Sequence, residues 1–197
     1  DWTSTTADPP MVDPEPIAQG ITTYHTNLEY SGISFAIIAD RMFKSSPTLA
    51  VPAGNVINGW FEAPGFDVRA NGDTESAVLL GDRQLEFLEH WSNTWEPQAD
   101  MKVLLSQTIF ANIATLPEDS INDKVVPGMK QPLFRGEYLR NDKIVTDGDS
   151  NGWPKSGRDR ALRAIRKGFA FHIAGDQHLG SFSQYGVDEW HDAPYAL

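Results

Sequence analysis

The apolar stretch Ile33–Ala39 (ISFAIIA) constrains the fold of this chain more than any other feature. It is too short for a typical helix, and an apolar run of this length is typical of a β-strand that is covered on both faces of a sheet. Lys102–Gln107 and Phe169–Ala174 are two further candidates for buried strands. No apolar run approaches the roughly 20 residues that a bilayer requires, so we expect no membrane-spanning segment.

Two amphipathic helix patterns separate these strands. From Gly81 onward, apolar residues recur at helical spacing, and Pro97 ends the pattern. A second helix is predicted from about Gly157 to Phe169. The predicted apolar faces consist of Leu85, Leu88, Trp91 and Trp95 in the first helix and of Ala161, Leu162, Ile165 and Phe169 in the second. Buried strands interleaved with amphipathic helices predict an α/β layered fold.

The remaining segments have weaker patterns. Residues 1–20 are rich in Pro, Asp and Thr and are predicted to form an irregular surface segment. Thr22–Tyr30 is rich in β-forming residues and is predicted to be one strand. Residues 45–80 and 112–157 are punctuated by Pro, Gly, Asn and Asp and are predicted to be long loops, which are usually functional.

The charge balance excludes some classes of function. The formal net charge is −11, from 16 basic and 27 acidic residues, which argues against a surface that binds nucleic-acid phosphates. The excess of carboxylates either serves solubility or holds hard cations. There are no cysteines, so disulfides, thiolate zinc sites and a cysteine nucleophile are excluded within this stretch of sequence.

In layered α/β folds, functional residues gather at the carboxyl ends of the strands. This places Asp40-Arg41, Ser106-Gln107 and Asp176–His178 on one rim. In the segment AGDQHLGS, Asp176 and His178 follow a strand and are two residues apart, so both can turn toward one cation. The alternative is that Asp176 caps a turn and that His178 is a surface residue.

A second candidate is the segment TDGDSNGWP, in which Asp147, Asp149 and Asn151 alternate as oxygen ligands do. It is not an EF-hand, because Arg158 stands where the bidentate Glu is required. The alternative is an Asx-rich turn that caps the following helix. Arg41 is suited to phosphate, and equally suited to pairing with a structural carboxylate.

The other four histidines, His25, His90, His172 and His191, show no ligand spacing with one another. His172 lies inside a predicted strand and is expected to be a packed residue, and His90 is expected at the surface of a helix. The motifs of α/β-hydrolases, phosphate-loop nucleotidases, dinucleotide-binding folds and zinc proteases are all missing from the sequence.

Four stretches in order resemble the PhoD-like alkaline phosphatases, a family of metallophosphoesterases. They are FAIIADRMFK (35–44), LLGDRQLEFLEHW (79–91), MKVLLSQTIFAN (101–112), and DSNGWPKSGRDRALRAI followed by FHIAGDQHLGS (149–165 and 171–181). The resemblance spans roughly residues 21–192. It implies hydrolysis of phosphate mono- or diesters at a site with two or more metal ions, which are iron and calcium in characterised relatives.

The resemblance also assigns roles to individual residues. Asp176 and His178, at the closing Gly-Asp-x-His, would be catalytic residues and metal ligands. Asp149 and Asn151, before the helix, would be further candidates for metal ligands. Arg41 would contact the phosphate of the substrate.

The fold implied by the resemblance is a layered metallophosphoesterase-like β-sandwich flanked by helices, incomplete in this chain. Residues 1–197 would be the C-terminal portion of a single domain, with 1–20 as a lead-in segment. Because the early motifs of the family have no counterpart here, an N-terminal segment or a second chain is expected to complete the domain. Relatives are usually exported, which implies an extracytoplasmic location.

Two other classes of function stay open. The first is a non-catalytic binding or assembly module on the same scaffold. The second is a calcium-dependent domain that binds carbohydrate or a surface, because the chain is acidic and carries six tryptophans.

Overall fold

A computed structural model describes residues 12–18, 21–57, 59–111, 114–117, 142–145, 147–149, 152–176 and 180–197. The described strands are β1 (Val12–Ala18), β2 (Ile21–Tyr24), β3 (Thr26–Tyr30), β4 (Ile33–Ile37), β5 (Val56–Ile57), β6 (Trp60–Phe61), β7 (Met101–Thr108), β8 (Ala114–Pro117), β9 (Asp142–Val145), β10 (Phe171–Gly175), β11 (Ser183–Gln184) and β12 (Tyr195–Ala196). The described helices are α1 (Pro47–Ala50), α2 (Val68–Asn71), α3 (Asp82–Asn93) and α4 (Lys155–Arg166), with a 3₁₀ turn at Pro52–Gly54.

The central sheet has six strands in the order β11-β12-β10-β7-β4-β3. Strands β4, β7 and β10 run parallel, whereas β3 runs antiparallel to β4 and forms one edge. The three strands expected to be buried are therefore three adjacent parallel strands of the sheet. Because they are parallel and adjacent, their carboxyl ends meet at one edge of the sheet, as predicted from the sequence.

Helices α3 and α4 cover one face of this sheet. The register aligns Ala36, Leu104 and His172, and all three are fully buried under these helices. Leu88 of α3 and Ile165 of α4 belong to the same core cluster and are also fully buried. Burial of one such side chain stabilises the fold by roughly 1.5–3 kcal/mol, so this interface anchors the sheet.

The opposite face of the sheet is also apolar. Phe35, Val103 and Phe171 form one row across β4, β7 and β10, and the next row ends at Ile173, which is 38% exposed. Apolar residues on both faces explain why these strands have nearly continuous apolar sequences.

Both long helices end earlier than the sequence predicts. Trp95 was expected on the apolar face of the first helix, but α3 ends at Asn93 and Trp95 is 48% exposed. The ammonium of the buried Lys102 accounts for this end, because it donates to the carbonyls of Trp91 (2.5 Å) and Thr94 (2.7 Å). The prediction for Phe169 was also wrong: it lies beyond α4, has a φ of 47°, and is 62% exposed.

Several segments contain more structure than predicted. Residues 45–80 hold α1, α2 and the β5–β6 hairpin, and Val51 and Ala77 pack there against Trp153. Residues 1–20 are not wholly irregular, because β1 pairs with β2. The predicted strand at 22–30 is split between two sheets, and β8 and β9, both within 112–157, pair antiparallel with each other. None of the described helices is long and apolar enough to cross a membrane.

Candidate functional site

A cavity of about 460 Å³ lies where β4 and β7 end. Its lining includes the apolar side chains of Ile37 and Leu105, and polar residues follow them at the strand ends. The polar lining residues are Asp40, Arg41, Ser106 and Gln107. The structure thus brings two of the three predicted rim segments together around one cavity.

Asp40 fastens the end of β4 to the end of β7. Its carboxylate is 2% exposed and accepts hydrogen bonds from the backbone N–H groups of Gln107 (3.2 Å) and Thr108 (2.9 Å). The Thr108 hydroxyl donates a third bond to it at 2.8 Å. A buried carboxylate with three donors is well satisfied. Asp40 therefore has a structural role: it holds the residue before Arg41 against the end of β7.

The side chain of Gln84 in α3 also holds the end of β4 in place. Gln84 is fully buried, accepts from the backbone N–H of Ala39 (2.8 Å), and donates to the carbonyl of Ala39 (3.1 Å) and to that of Leu80 (2.8 Å). The resemblance motif at the start of this helix includes Gln84. Its role is therefore to hold the residue before Asp40 in place.

Arg41 pairs with Asp149 across 108 positions of sequence, and Nη2 lies 3.1 Å from Oδ2. The two side chains are 36% and 58% exposed, and ion pairs as exposed as this contribute about 0–1 kcal/mol. The pair therefore orients the guanidinium more than it stabilises the fold. Among the described residues, Asp149 binds the guanidinium of Arg41 through Nη2. The other N–H groups of this guanidinium do not point at Asp149.

The loop that carries Asp149 is an Asx turn. The Asp147 carboxylate accepts from the backbone N–H of Asp149 at 2.7 Å, and the N–H of Gly148 donates to the carbonyl of Gly59 at 2.7 Å. At Gly59 φ is +86°, and an added Cβ would lie 2.5 Å from Asp147 Oδ1. The β5–β6 hairpin therefore fixes this loop by close backbone contact.

The predicted Asx turn is present, but it does not cap α4. That helix has no side-chain cap from its N-cap residue, Pro154. Instead Asp73 accepts from the backbone N–H of Ser156 (3.0 Å) and from its hydroxyl (2.8 Å). Because Asp149 is not needed for capping, its carboxylate can face Arg41.

Lys44 belongs to the same cluster, and sequence reasoning missed it. Its ammonium donates to the carbonyl of Trp153 at 2.5 Å and lies 5.6 Å from the centroid of that ring. Burial lowers the pKa of Lys44 to about 8, although the charges of Asp149, Asp147 and Asp40 oppose this shift. Lys44 is the last residue of the stretch FAIIADRMFK, but the resemblance assigns it no role, so only the fold reveals its place.

Asp176 lies at the end of β10 on the same edge of the sheet. Gly175 is opposite Thr108 of β7, and Asp176 is exposed with a φ of +77°. Since β7 separates β10 from β4 and neighbouring strands are about 4.8 Å apart, the ends of β10 and β4 are roughly 10 Å apart. His178 and Asn151, the other predicted ligands, lie outside the described residues.

His172 is buried, as predicted, and both of its ring nitrogens have partners. Nε2 is 2.6 Å from the hydroxyl of Ser106, and Nδ1 is 2.9 Å from the hydroxyl of Tyr185. Burial lowers the pKa of His172 to about 3, so the ring is neutral at pH 7. His90, by contrast, is exposed on α3, also as predicted.

We tested whether the residues present fit the metal centre that the resemblance implies. Within the described ranges, no group of three or more His, Asp or Glu side chains can hold a metal ion. Asp40 is taken up by three hydrogen bonds, and Asp149 is paired with Arg41. The described part of the chain therefore does not form a complete metal site by itself.

The fold and site define a mixed α/β protein with a polar rim at the carboxyl edge of its parallel strands. No protein-family model matches the chain, and no curated protein matches it either. Among solved structures, it is similar to one described as "Structure of PhoD", with a TM-score of 0.55 and 19% sequence identity. The similarity covers 93% of this chain and 31% of that chain. The resemblance inferred from the sequence is thus confirmed for the fold, and the chain spans about a third of the length of the PhoD chain.

Proposed function

We propose that this chain is part of a PhoD-like phosphoesterase that hydrolyses phosphate mono- or diesters. The observation that carries the proposal is the ion pair at the cavity: Arg41 lines the cavity, and its guanidinium is paired with the carboxylate of Asp149. The PhoD-like fold supports the same proposal. A rim arginine beside a cavity is well suited to an anionic substrate.

In this proposal Arg41 binds oxygens of the phosphoryl group through the N–H groups that Asp149 does not occupy. The positive charge of Lys44 lies in the same cluster as Asp147 and Asp149 and offsets part of their repulsion toward an anion. The apolar side chains of Ile37 and Leu105 would contact the organic group of the ester. These residues bind and orient the substrate, and the bond cleavage itself requires further groups.

By resemblance those groups are Asp176 and His178 as catalytic metal ligands, with Asp149 and Asn151 as additional ligands for iron and calcium. Because the described residues form no complete ligand set, we derive no reaction step through the metals. The strained backbone of Asp176 supports a functional role, since positive φ at a non-glycine residue is often retained at functional sites.

We further propose that other polypeptide completes the domain as a layered sandwich, either a further segment of the same protein or a second chain. The apolar second face of the sheet supports this, because parallel sheets are normally covered on both faces. On this face Val103 of β7 is 3% exposed, whereas Ile173 of β10 and Tyr195 of β12 are 38% and 37% exposed, so the open part of the face lies at β10 and β12. An extracytoplasmic location, as in exported relatives, is part of the same proposal.

The test is hydrolysis of bis(p-nitrophenyl) phosphate and p-nitrophenyl phosphate by the whole protein that contains this chain, with iron and calcium supplied and after chelation. Arg41→Gln should lower kcat/KM about tenfold or more, as expected for loss of a charge-assisted contact of about 1.5–3 kcal/mol. Arg160→Gln is the matched control, because Arg160 is also an exposed arginine paired with an aspartate, Asp82, outside the cavity. A folded protein that turns over neither ester, or an Arg41→Gln variant as active as wild type, would refute the proposal.

The second candidate is a non-catalytic binding or assembly module. One observation favours it, namely that the described residues contain no group of three metal-ligating side chains. Metal analysis of the whole protein separates the two candidates, because a module of this kind would retain its fold without stoichiometric iron or calcium and without turnover.

A further inference from the structure

A chain of hydrogen bonds runs from the core to the cavity through one buried histidine. The backbone N–H of Phe110 donates to the hydroxyl oxygen of Tyr185 at 2.9 Å. That hydroxyl is 2.9 Å from Nδ1 of His172, and Nε2 of His172 is 2.6 Å from the hydroxyl of Ser106. Ser106 in turn donates to the carbonyl of Thr108 at 2.6 Å.

The donor and acceptor roles in this series of hydrogen bonds can be assigned in only one way. The proton of Ser106 lies toward Thr108, so the oxygen of Ser106 accepts from His172, which must carry its proton on Nε2. A neutral ring with a proton on Nε2 is an acceptor at Nδ1, so Tyr185 donates to it. The Tyr185 oxygen is then the acceptor for the backbone N–H of Phe110, and every proton in the chain has a partner.

At its cavity end, this series of hydrogen bonds reaches Thr108, which also binds the carboxylate of Asp40. Thr108 accepts from Ser106 through its carbonyl and donates to Asp40 through both its N–H and its hydroxyl. Asp40 directly precedes Arg41, and Ser106, Asp40 and Arg41 all line the cavity. The residue that joins the core to the cavity is thus His172, which is 0% exposed.

We propose that His172 is a positioning residue of the candidate phosphate site: through Ser106 and Thr108 it holds the end of β7 against Asp40 and so places the guanidinium of Arg41. The part that concerns phosphate rests on the function proposed above. The competing explanation is that Gln84, which holds Ala39 from the side of α3, fixes Arg41 without help from the histidine.

The direct test follows the Arg41 side chain without any ligand. Hydrogen exchange and ¹⁵N relaxation of its Nε–H group are measured by NMR in the wild type, His172→Phe and Ser106→Ala. His172→Gln is the conservative variant, because its amide retains one donor for Ser106 and one acceptor for Tyr185. Ile165→Val is the control for general destabilisation, since this fully buried residue of α4 takes no part in the hydrogen bonds that connect Phe110, Tyr185, His172 and Ser106.

We expect faster Nε–H exchange and larger motion of Arg41 in His172→Phe and Ser106→Ala, near-wild-type values in Ile165→Val, and partial restoration in His172→Gln. An unchanged Arg41 in both His172→Phe and Ser106→Ala would overturn the proposal and leave Gln84 as the residue that places it. If His172→Phe fails to fold, Ser106→Ala and His172→Gln decide the question.

A second measurement uses inorganic phosphate as the probe. Its dissociation constant, read from the Arg41 Nε–H shift, should rise about five- to tenfold in His172→Phe and should not change in Ile165→Val. A wild type that does not bind phosphate while Arg41 becomes mobile in the variants would contradict the proposed function and support the positioning role. Phosphate binding that is equal in the wild type and in His172→Phe, with an equally ordered Arg41, would contradict the positioning role alone.

Discussion

Acidification should destabilise this protein through His172, and the size of the effect follows from its burial. The ring is 0% exposed and its two partners are neutral hydroxyl groups, so burial lowers the pKa of His172 from 6.5 to about 3. In the unfolded chain the ring binds a proton near its ordinary pKa. Between pH 6.5 and pH 3 the unfolded state therefore binds more protons than the folded state, and the free energy of unfolding falls as the pH falls.

Proton linkage gives the magnitude. With pKa values of 6.5 unfolded and about 3 folded, the loss between pH 7.5 and pH 5 is about 2 kcal/mol, and it reaches about 3 kcal/mol at pH 4. At pH 5 the result depends almost wholly on the unfolded value, because the folded pKa lies well below that pH. A loss of this size is a large part of the stability of about 5–15 kcal/mol that is typical of domains.

The assay is urea unfolding, followed by tryptophan fluorescence at pH 7.5, 6 and 5, for the wild type, His172→Phe and Ile165→Val. At pH 7.5 His172→Phe should be less stable by about 1–3 kcal/mol, because the hydroxyl groups of Ser106 and Tyr185 each lose one hydrogen bond. Its loss on going to pH 5 should nevertheless be smaller than that of the wild type by about 2 kcal/mol. Ile165→Val should lower stability by about 0.5–1.5 kcal/mol and keep the wild-type pH dependence.

Two carboxylates with lowered pKa values, the exposed Asp188 and the partly buried Asp192, do not disturb this comparison. Hydrogen bonds from Arg163 and Arg166 lower the pKa of Asp188, and backbone hydrogen bonds, led by that from Val187, lower the pKa of Asp192. Their contribution is present above the unfolded pKa and is lost as the pH falls through the lowered value, and it is shared by all three proteins. An equal pH dependence in the wild type and His172→Phe would refute the reasoning.

Three further predictions follow from individual contacts. Gly59→Ala should lower stability by about 1–3 kcal/mol in thermal unfolding because its Cβ would clash with a carboxylate, whereas Gly65→Ala, with positive φ but open space around it, should be milder; equal losses would contradict the clash. Lys102→Met should lower stability by about 1–3 kcal/mol in urea because the last carbonyls of α3 lose their donor, and a neutral result would show that this donor is dispensable. In the active whole protein Asp176→Asn or His178→Ala should abolish ester hydrolysis with an unchanged circular dichroism spectrum, and near-normal rates in both would remove these residues from the site.

The sequence alone predicts the central sheet because apolar length and continuity encode burial directly. Ile33–Ala39 and Lys102–Gln107 lie in adjacent parallel strands, so the edge where Asp40 and Ser106 meet could be anticipated. The short strands β11 and β12 on one side of the sheet could not be anticipated, because each has only two residues and their pairing depends on distant backbone partners. The same holds for β1, whose pairing with β2 is visible only once both strands are placed.

The site was predicted only where a motif carries it. Arg41 and Asp149 were each singled out, but their pairing depends on a loop that the β5–β6 hairpin fixes through Gly59. The burial of His172 was predicted, but its hydrogen-bond partners and the role of Lys44 could not be inferred, because they depend on residues far away in sequence. Sequence motifs thus identify exposed candidate site residues, whereas the fold identifies the buried residues that orient them.

The pair between Arg41 and Asp149 connects the two interpretations that the sequence left open. Both side chains are partly exposed, so separating them costs about 0–1 kcal/mol, which is less than a phosphate or a cation supplies on binding. Each residue can therefore serve as rim structure in the free protein and still be released to a ligand. Asp40 cannot do this, because three hydrogen bonds hold its buried carboxylate. The rim thus combines a buried carboxylate held by three hydrogen bonds with a partly exposed ion pair that contributes little to the stability of the fold.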